Sequence, residues 1–294
     1  MASPMAHPEH DHDHEHEHEG HEHGEEDTRI RVLHGASPFC HWSFGYEPVL
    51  QRLRLVYGDQ IKVNTYNIPV YERWQQWMED YGLDEASLRA WIDEMEGLIG
   101  LPLNREYLKH PTASCDPGTR VLHAAEAAKP GAGEQVARRL LFALYVEGRN
   151  FDDQEALLAL AEQAGAPRKA VEAALADGRA DEAMKADGQD MHALGLNFFE
   201  LQIADGKRRV MLEHGFDPAQ AESALEWLSG GTLRKRALPS VADYVAQHAP
   251  LTRFEVERVF RLSAADAERA AAPAEKAGKV QRKTLNGHPC WLPK

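Results

Sequence analysis

The sequence predicts an α/β fold in which a βαβ half and a ββα half are separated by a long helical insertion, followed by a small C-terminal unit of helices and a hairpin. Three observations carry this. Two short alternating segments, Arg29–Leu33 and Ile61–Tyr66, flank a helical pattern of about 16 residues. From about 70 to 194 the chain is alanine-rich and helical in period. An Asp205-Gly206 turn then joins two further alternating runs. Apolar residues recurring every second position mark strands, and every three to four mark helices.

Each element has a local reason. Gly35 to Phe39 breaks the first strand, and Trp42, Tyr46, Val49, Leu50, Leu53 and Val56 then share one helix face, stopped by Gly58-Asp59. Strand, helix, strand implies parallel pairing with a right-handed crossover. The insertion is punctuated at Gly82, Gly97–Pro102, Pro117-Gly118, Pro130-Gly131, Gly148 and Gly165. Asn197–Ile203 and Arg208–Leu212 read as a hairpin. Asp217 as N-cap and Pro218 in the first turn open a helix running to Trp227, and Gly230-Gly231 closes the unit. The body therefore spans 28–231.

The 294 residues carry a net charge of −14, unevenly spread. Residues 1–27 hold ten Asp/Glu and no Lys/Arg, whereas 234–294 carry twelve Lys/Arg against six Asp/Glu. The N-terminal stretch alternates acids with histidines and has nothing to build a core, so it is expected to be disordered. His10, His12, His14, His16, His18, His21 and His23 are candidate ligands for Zn, Ni or Cu, because neutral imidazole suits these ions. No metal or other cofactor is required by the rest of the sequence. No run is long and apolar enough for a membrane span, and no charged-then-apolar leader opens the chain. The expectation is a cytoplasmic protein with no membrane partner. Three cysteines are too few for a disulfide scaffold.

The segment Ser37-Pro38-Phe39-Cys40-His41-Trp42-Ser43-Phe44-Gly45-Tyr46-Glu47-Pro48-Val49-Leu50 resembles the active-site region of DsbA-family thioredoxin-like proteins. The likeness is to the branch with Cys-Pro-Trp-Cys followed by Gly and Pro-Val-Leu, which includes FrnE-like isomerases and YjbH/SpxH-type adaptors. Pro111–Pro117 resembles a second segment of that group, and the His-rich N-terminus is shared with the adaptors. The resemblance, over about 28–230, implies a thioredoxin fold with a helical insertion and thiol–disulfide chemistry. Two departures stand out. Ser43 replaces the second cysteine, giving a CxxS motif, and Gly195–Glu200 lacks the proline that the family places opposite the thiol.

A cysteine at the start of a helix meets unpaired N–H groups and the positive end of the dipole, which lowers its pKa. Cys40 is therefore the candidate catalytic thiol. His41, if protonated, adds to the effect, and Ser43 is placed to hydrogen-bond the sulfur. One cysteine points to monothiol exchange or isomerisation, resolved by glutathione, another protein thiol or a distant cysteine such as Cys115. Trp42, Phe44 and Cys115 also read as packing residues.

Residues 238–294 form a second unit. Val241, Tyr244 and Val245 share a helix face, Thr252 caps a second helix, and a third runs Ala264–Ala277. Lys279–Lys283 and Pro289–Leu292 make a hairpin around Asn286-Gly287. The order is that of a winged helix. Arg234-Lys235-Arg236, Lys279, Arg282 and Lys283 are candidate phosphate contacts, but the third helix starts with Asp266 and Glu268, contains Pro273, and offers mainly Arg269 for reading bases. Protein contact or docking on the acidic body competes with DNA binding.

Two functions follow as expectations. The first is an atypical thiol–disulfide oxidoreductase or isomerase acting on protein thiols or disulfides, or on a low-molecular-weight thiol. The alternative is a non-catalytic adaptor or regulator with a metal-binding tail and a protein- or DNA-contacting winged helix. A further reading, from glutathione-dependent isomerases, gives Ser43 or Ser37 the task of activating glutathione.

Overall fold

The computed structural model describes residues 28–101, 103–198 and 200–294. The histidines assigned to metal, His10 to His23, lie outside the described residues. The body opens with β1 (Ile30–Ala36), α1 (His41–Tyr57) and β2 (Ile61–Asn67), and β1 and β2 pair in parallel. The insertion supplies α2 (Trp74–Asp80), α3 (Glu85–Ile99), α4 (Asp116–Ala128), α5 (Ala132–Tyr145), α6 (Gln154–Gln163), α7 (Arg168–Ala176) and α8 (Arg179–Leu194). The ββα half follows as β3 (Glu200–Ala204), β4 (Arg209–Glu213) and α9 (Pro218–Ser229). The sheet runs β2-β1-β3-β4, with β3 antiparallel to both neighbours.

Local chemistry sets these elements. Asp84 and Ser87 close a reciprocal capping box on α3, whose buried Leu88, Ile92, Met95 and Ile99 form one stripe. The Asp217 side chain accepts from the Ala219 amide with Pro218 at the first position of α9. Strand β3 starts at Glu200, three residues later than the alternation suggested, because Asn197 and Phe198 belong to the loop instead. The Asp205 carboxylate accepts from the Lys207 and Arg208 amides and pins the hairpin turn. Val32 and Ile203 join the large core shared with α1 and α9, while Leu33 packs with Tyr66, Met191 and Leu196 on the α8 side.

The C-terminal residues form α10 (Val241–His248), β5 (Leu251–Thr252), α11 (Arg253–Phe260), α12 (Ala264–Lys276), β6 (Val280–Leu285) and β7 (His288–Pro293). They build a three-stranded sheet in the order β5-β7-β6. Strand β5 is only two residues long and pairs with Trp291 and Cys290, too short a run to show as an alternation. Trp291 is fully buried at the centre of this unit's own core, its indole N–H donating to Glu275 at 2.8 Å.

This unit docks on the body through buried cations. Arg52 of α1 bonds the Glu222 carboxylate of α9 and the Val259 carbonyl of α11, the latter at 2.6 Å. Arg138 of α5 reaches the carbonyls of His248 (2.8 Å) and Pro250 (2.7 Å) and the Glu255 carboxylate (3.2 Å). The basic stretch before α10 is also engaged within the chain. Lys235 bridges Glu222 and Glu226 at 2.8 and 2.7 Å, and Arg236 pairs with Asp59. On the hairpin Arg282 pairs with Glu268 at 2.6 Å, and on α12 Arg269 pairs with Asp266. Most of the cations suggested for phosphate contact thus have intramolecular partners.

Candidate functional site

Cys40 is the N-cap of α1, one residue before the first turn, with extended backbone angles. Its amide donates to the Ser37 carbonyl at 3.2 Å, and its carbonyl accepts from Phe44 at 3.2 Å. The Ser37 amide donates to Ser43 Oγ at 3.1 Å, and the Phe39 amide to Ser37 Oγ at 3.3 Å. The two serines thus lock the loop around the cysteine.

The amides of Trp42 and Ser43 and the Ser43 hydroxyl hydrogen-bond the sulfur and favour the thiolate, as the helix start led us to expect. Burial opposes them and wins. Cys40 is 5 % exposed, and desolvation pushes its thiol up from 9.0 to about 11. The expected low pKa is therefore corrected: in this conformation the resting form is the thiol. His41 does not help. It is buried against the rings of Trp42, Trp91 and Tyr145, and desolvation pulls it down to about 4, so it is neutral at pH 7. Its Nε2 has no hydrogen-bond partner.

Trp42 and Phe44 pack, as read from the sequence. Trp42 stacks on His214 at 4.7 Å and Phe216 at 5.6 Å, and Phe44 on Tyr145 at 5.9 Å. Gly45 is required beneath them, since a Cβ there would lie 2.9 Å from the Phe216 ring. Cys115, at the N-cap of α4, is fully buried, and its thiol is pushed up to about 12 by burial despite a hydrogen bond with Tyr71. All three cysteines are free thiols.

Two cavities flank the first turns of α1. The first, of about 640 Å³, has Cys40 and His41 on its wall. It is otherwise built largely of aromatic rings from the insertion, with Asn197 and Phe198 also on its wall. The second, of about 500 Å³, mixes apolar walls such as Val63, Leu122 and Leu141 with polar and ionisable groups. Ser37, Ser43, Glu47, Arg54, His123 and Asp187 line it. Glu47 is buried with one carboxylate oxygen unpartnered, and desolvation, with Glu134 adding to it, pushes it up to about 7. Ser43 therefore lines the second cavity while its hydroxyl faces the Cys40 sulfur.

The sequence reading missed Glu47 and the aromatic wall. An acid one turn below Ser43, followed at the next turns by Gln51 and Arg54, was a polar stripe on a buried helix. Trp74, Trp77 and Trp91 are three of the six tryptophans in the chain, gathered in a short helical stretch. Among the described residues no cluster of His, Cys, Asp and Glu is arranged to hold a metal, and no helix is long and apolar enough to cross a membrane.

Fold and site together define a thioredoxin-fold protein with a helical insertion and a single cysteine at the head of its first helix. The model of the DsbA-like thioredoxin domain matches residues 36–197, and the chain belongs to that family. It is 26 % identical over 156 residues to the ClpXP adapter protein SpxH of Halalkalibacterium halodurans, covering 52 % of this chain and 51 % of that protein. The chain thus spans about half the length of that curated relative. Among solved structures it resembles the cytosolic disulfide reductase DsbM of Pseudomonas aeruginosa (TM-score 0.50, 22 % identity, 69 % of this chain and 97 % of that one). It also resembles a candidate DsbA oxidoreductase of Streptomyces coelicolor (TM-score 0.54, 21 % identity, 71 % and 94 %). DsbM has also been solved with glutathione. At these identities the structural likeness is one of fold.

Proposed function

We propose that this protein performs monothiol thiol–disulfide exchange through Cys40, as an atypical oxidoreductase or isomerase. The carrying observation is the sulfur held by the Trp42 and Ser43 amides and the Ser43 hydroxyl at the head of α1, on the wall of a cavity. The Cys40 thiol loses its proton to solvent or to an entering base. The thiolate then attacks one sulfur of a disulfide, a new S–S bond forms, and the other half leaves as a thiolate. A second thiol must attack the mixed disulfide to release Cys40, because Ser43 cannot resolve it. Each cycle exchanges partners with no net oxidation. The fold relatives named as a disulfide reductase and an oxidoreductase support this class of substrate.

The test is turnover of a scrambled disulfide substrate and detection of the Cys40 mixed disulfide by mass spectrometry, wild type against Cys40→Ala. Loss of both signals in the variant is expected. Equal turnover in the two proteins sinks the reading.

The adaptor reading keeps two supports: the thiol is nearly enclosed, and the curated relative is named as a ClpXP adapter. It predicts partner binding that is indifferent to Cys40→Ala. In either case we read residues 238–294 as a winged-helix-like docking element, since Arg52 and Arg138 hold it to the body. The pairing of Arg234–Arg236, Arg269 and Arg282 within the chain disfavours DNA. We retain the tail histidines His10 to His23 as ligands for Zn, Ni or Cu. A zinc titration of the full chain against a version lacking residues 1–27 tests this, and equal stoichiometry removes the assignment.

A further inference from the structure

The wall beside Cys40 is a connected set of rings. His41 meets Trp91 edge-on at 4.9 Å, Trp91 lies 5.9 Å from Trp77, and Trp77 continues to Trp74 at 5.3 Å and to Tyr81 at 5.4 Å. Tyr145 and Tyr107 close the far side, their rings 5.5 Å apart. Among the described residues lining the cavity there is no Asp, Glu, Lys or Arg. The volume of about 640 Å³ falls in the range of small-molecule sites. The polar groups on the wall are few, and the buried Nε2 of His41 is unpartnered.

We propose that this cavity binds a neutral, low-molecular-weight aromatic compound and presents its sulfur, as an aryl disulfide, to Cys40. The proposal rests on the exchange reading for its chemistry and on the cavity for its selectivity. Three physical reasons favour this occupant. Aromatic walls reward flat, polarisable rings through stacked and edge-on contacts. A charged group entering an apolar, uncharged space loses its hydration without gaining a partner, which disfavours ionic thiols and disulfides there. The 5 % exposure of Cys40 keeps a disulfide on a folded protein surface at a distance, whereas a small molecule fits inside. The exchange step balances: thiolate attack on the aryl disulfide forms the Cys40–S–S–aryl bond and expels one aryl thiolate, which takes a proton from water.

The experiment has a binding arm and a reaction arm. Full-length Cys40→Ala is titrated calorimetrically with 2-naphthol, a neutral aromatic without sulfur. Saturable one-to-one binding is expected, and it should weaken several-fold in Tyr81→Ala, a rim residue 70 % exposed whose loss spares the core. Trp77→Ala should weaken it further where that variant folds. No saturable binding in either wild type or Cys40→Ala overturns the proposal. In the second arm the rates of mixed-disulfide formation at Cys40 with 2,2′-dithiodipyridine and with 2-hydroxyethyl disulfide are each divided by the rate at free cysteine. A preference for the aryl reagent of about tenfold or more is expected, the worth of burying one ring face. Equal normalised rates, or an oxidised peptide reacting as fast as the aryl reagent, overturn it. Binding of 2-naphthol with no reaction at Cys40 supports the occupant while sinking the exchange reading, so the two failures are distinguishable.

Discussion

The Tyr145 hydroxyl donates to the Phe39 carbonyl at 2.7 Å, tying the end of α5 to the peptide that precedes Cys40. The helical insertion thus holds the cysteine loop through a buried hydrogen bond. Tyr145→Phe leaves that carbonyl without its partner, at a cost of about 1–2 kcal/mol. For a chain of this size this corresponds to a fall in Tm of a few degrees, and Cys40 should alkylate faster as the loop loosens. Scanning calorimetry and iodoacetamide kinetics check both, and no change in either would show that the bond does not restrain the loop.

The pH dependence of Cys40 follows from its burial. Its folded pKa, about 11, lies above the unfolded value near 9, so the native state retains a proton that the unfolded chain has lost in that window. The contribution to stability is complete below pH 9 and disappears as pH rises through 11. Two units correspond to about 3 kcal/mol. Alkylation of native Cys40 should accelerate about tenfold per pH unit through pH 10, since the thiolate fraction sets the rate. A plateau near pH 8.5 would mean that the sulfur is solvated in solution.

What the sequence revealed and what it hid divide along locality. The βαβ and ββα halves, the Asp217-Pro218 helix start and the Asn286-Gly287 turn rest on neighbours in sequence, and they were legible. The position of Cys40 at the head of α1 was legible for the same reason. Its enclosure was not, because Trp74, Trp77, Trp91 and Tyr145 come from distant parts of the chain, and the desolvation they impose outweighs the local helix-start effect. The neutrality of His41 was hidden by the same walls. Strand β5 exists only through its pairing with β7, so two residues carried no pattern of their own.

Glu47 offers a second titration of the same sign in a lower pH window. Burial raises its carboxyl from 4.5 to about 7, so between those values the native state binds the proton that the unfolded chain releases. Stability from this group is therefore full below pH 4.5 and is lost as pH rises through 7, amounting to about 3 kcal/mol. Glu47→Gln removes the penalty of a buried charge. The variant should gain stability over wild type at pH 8 and show little difference at pH 4.5, as read from urea midpoints. An equal shift at both pH values would mean that Glu47 ionises freely in the folded protein.

The attachment of the C-terminal unit can be tested at Arg138 and Glu255, whose side chains are 8 % and 3 % exposed and 3.2 Å apart. Glu255 also accepts from the Thr252 amide at 2.7 Å and closes the capping box of α11. Glu255→Ala would leave the Arg138 charge buried with two carbonyls but no carboxylate. Breaking one side of such a pair costs about 3–5 kcal/mol, more than the pair itself contributes, because the remaining charge keeps its desolvation penalty. Arg138→Met together with Glu255→Gln removes both charges and should recover much of that loss. Urea unfolding followed by tryptophan emission, which samples Trp291 at the core of the unit and Trp42 beside Cys40, would show both proteins. A double variant no more stable than Glu255→Ala would mean that the carbonyl contacts of Arg138, rather than its charge pairing, hold the two units together.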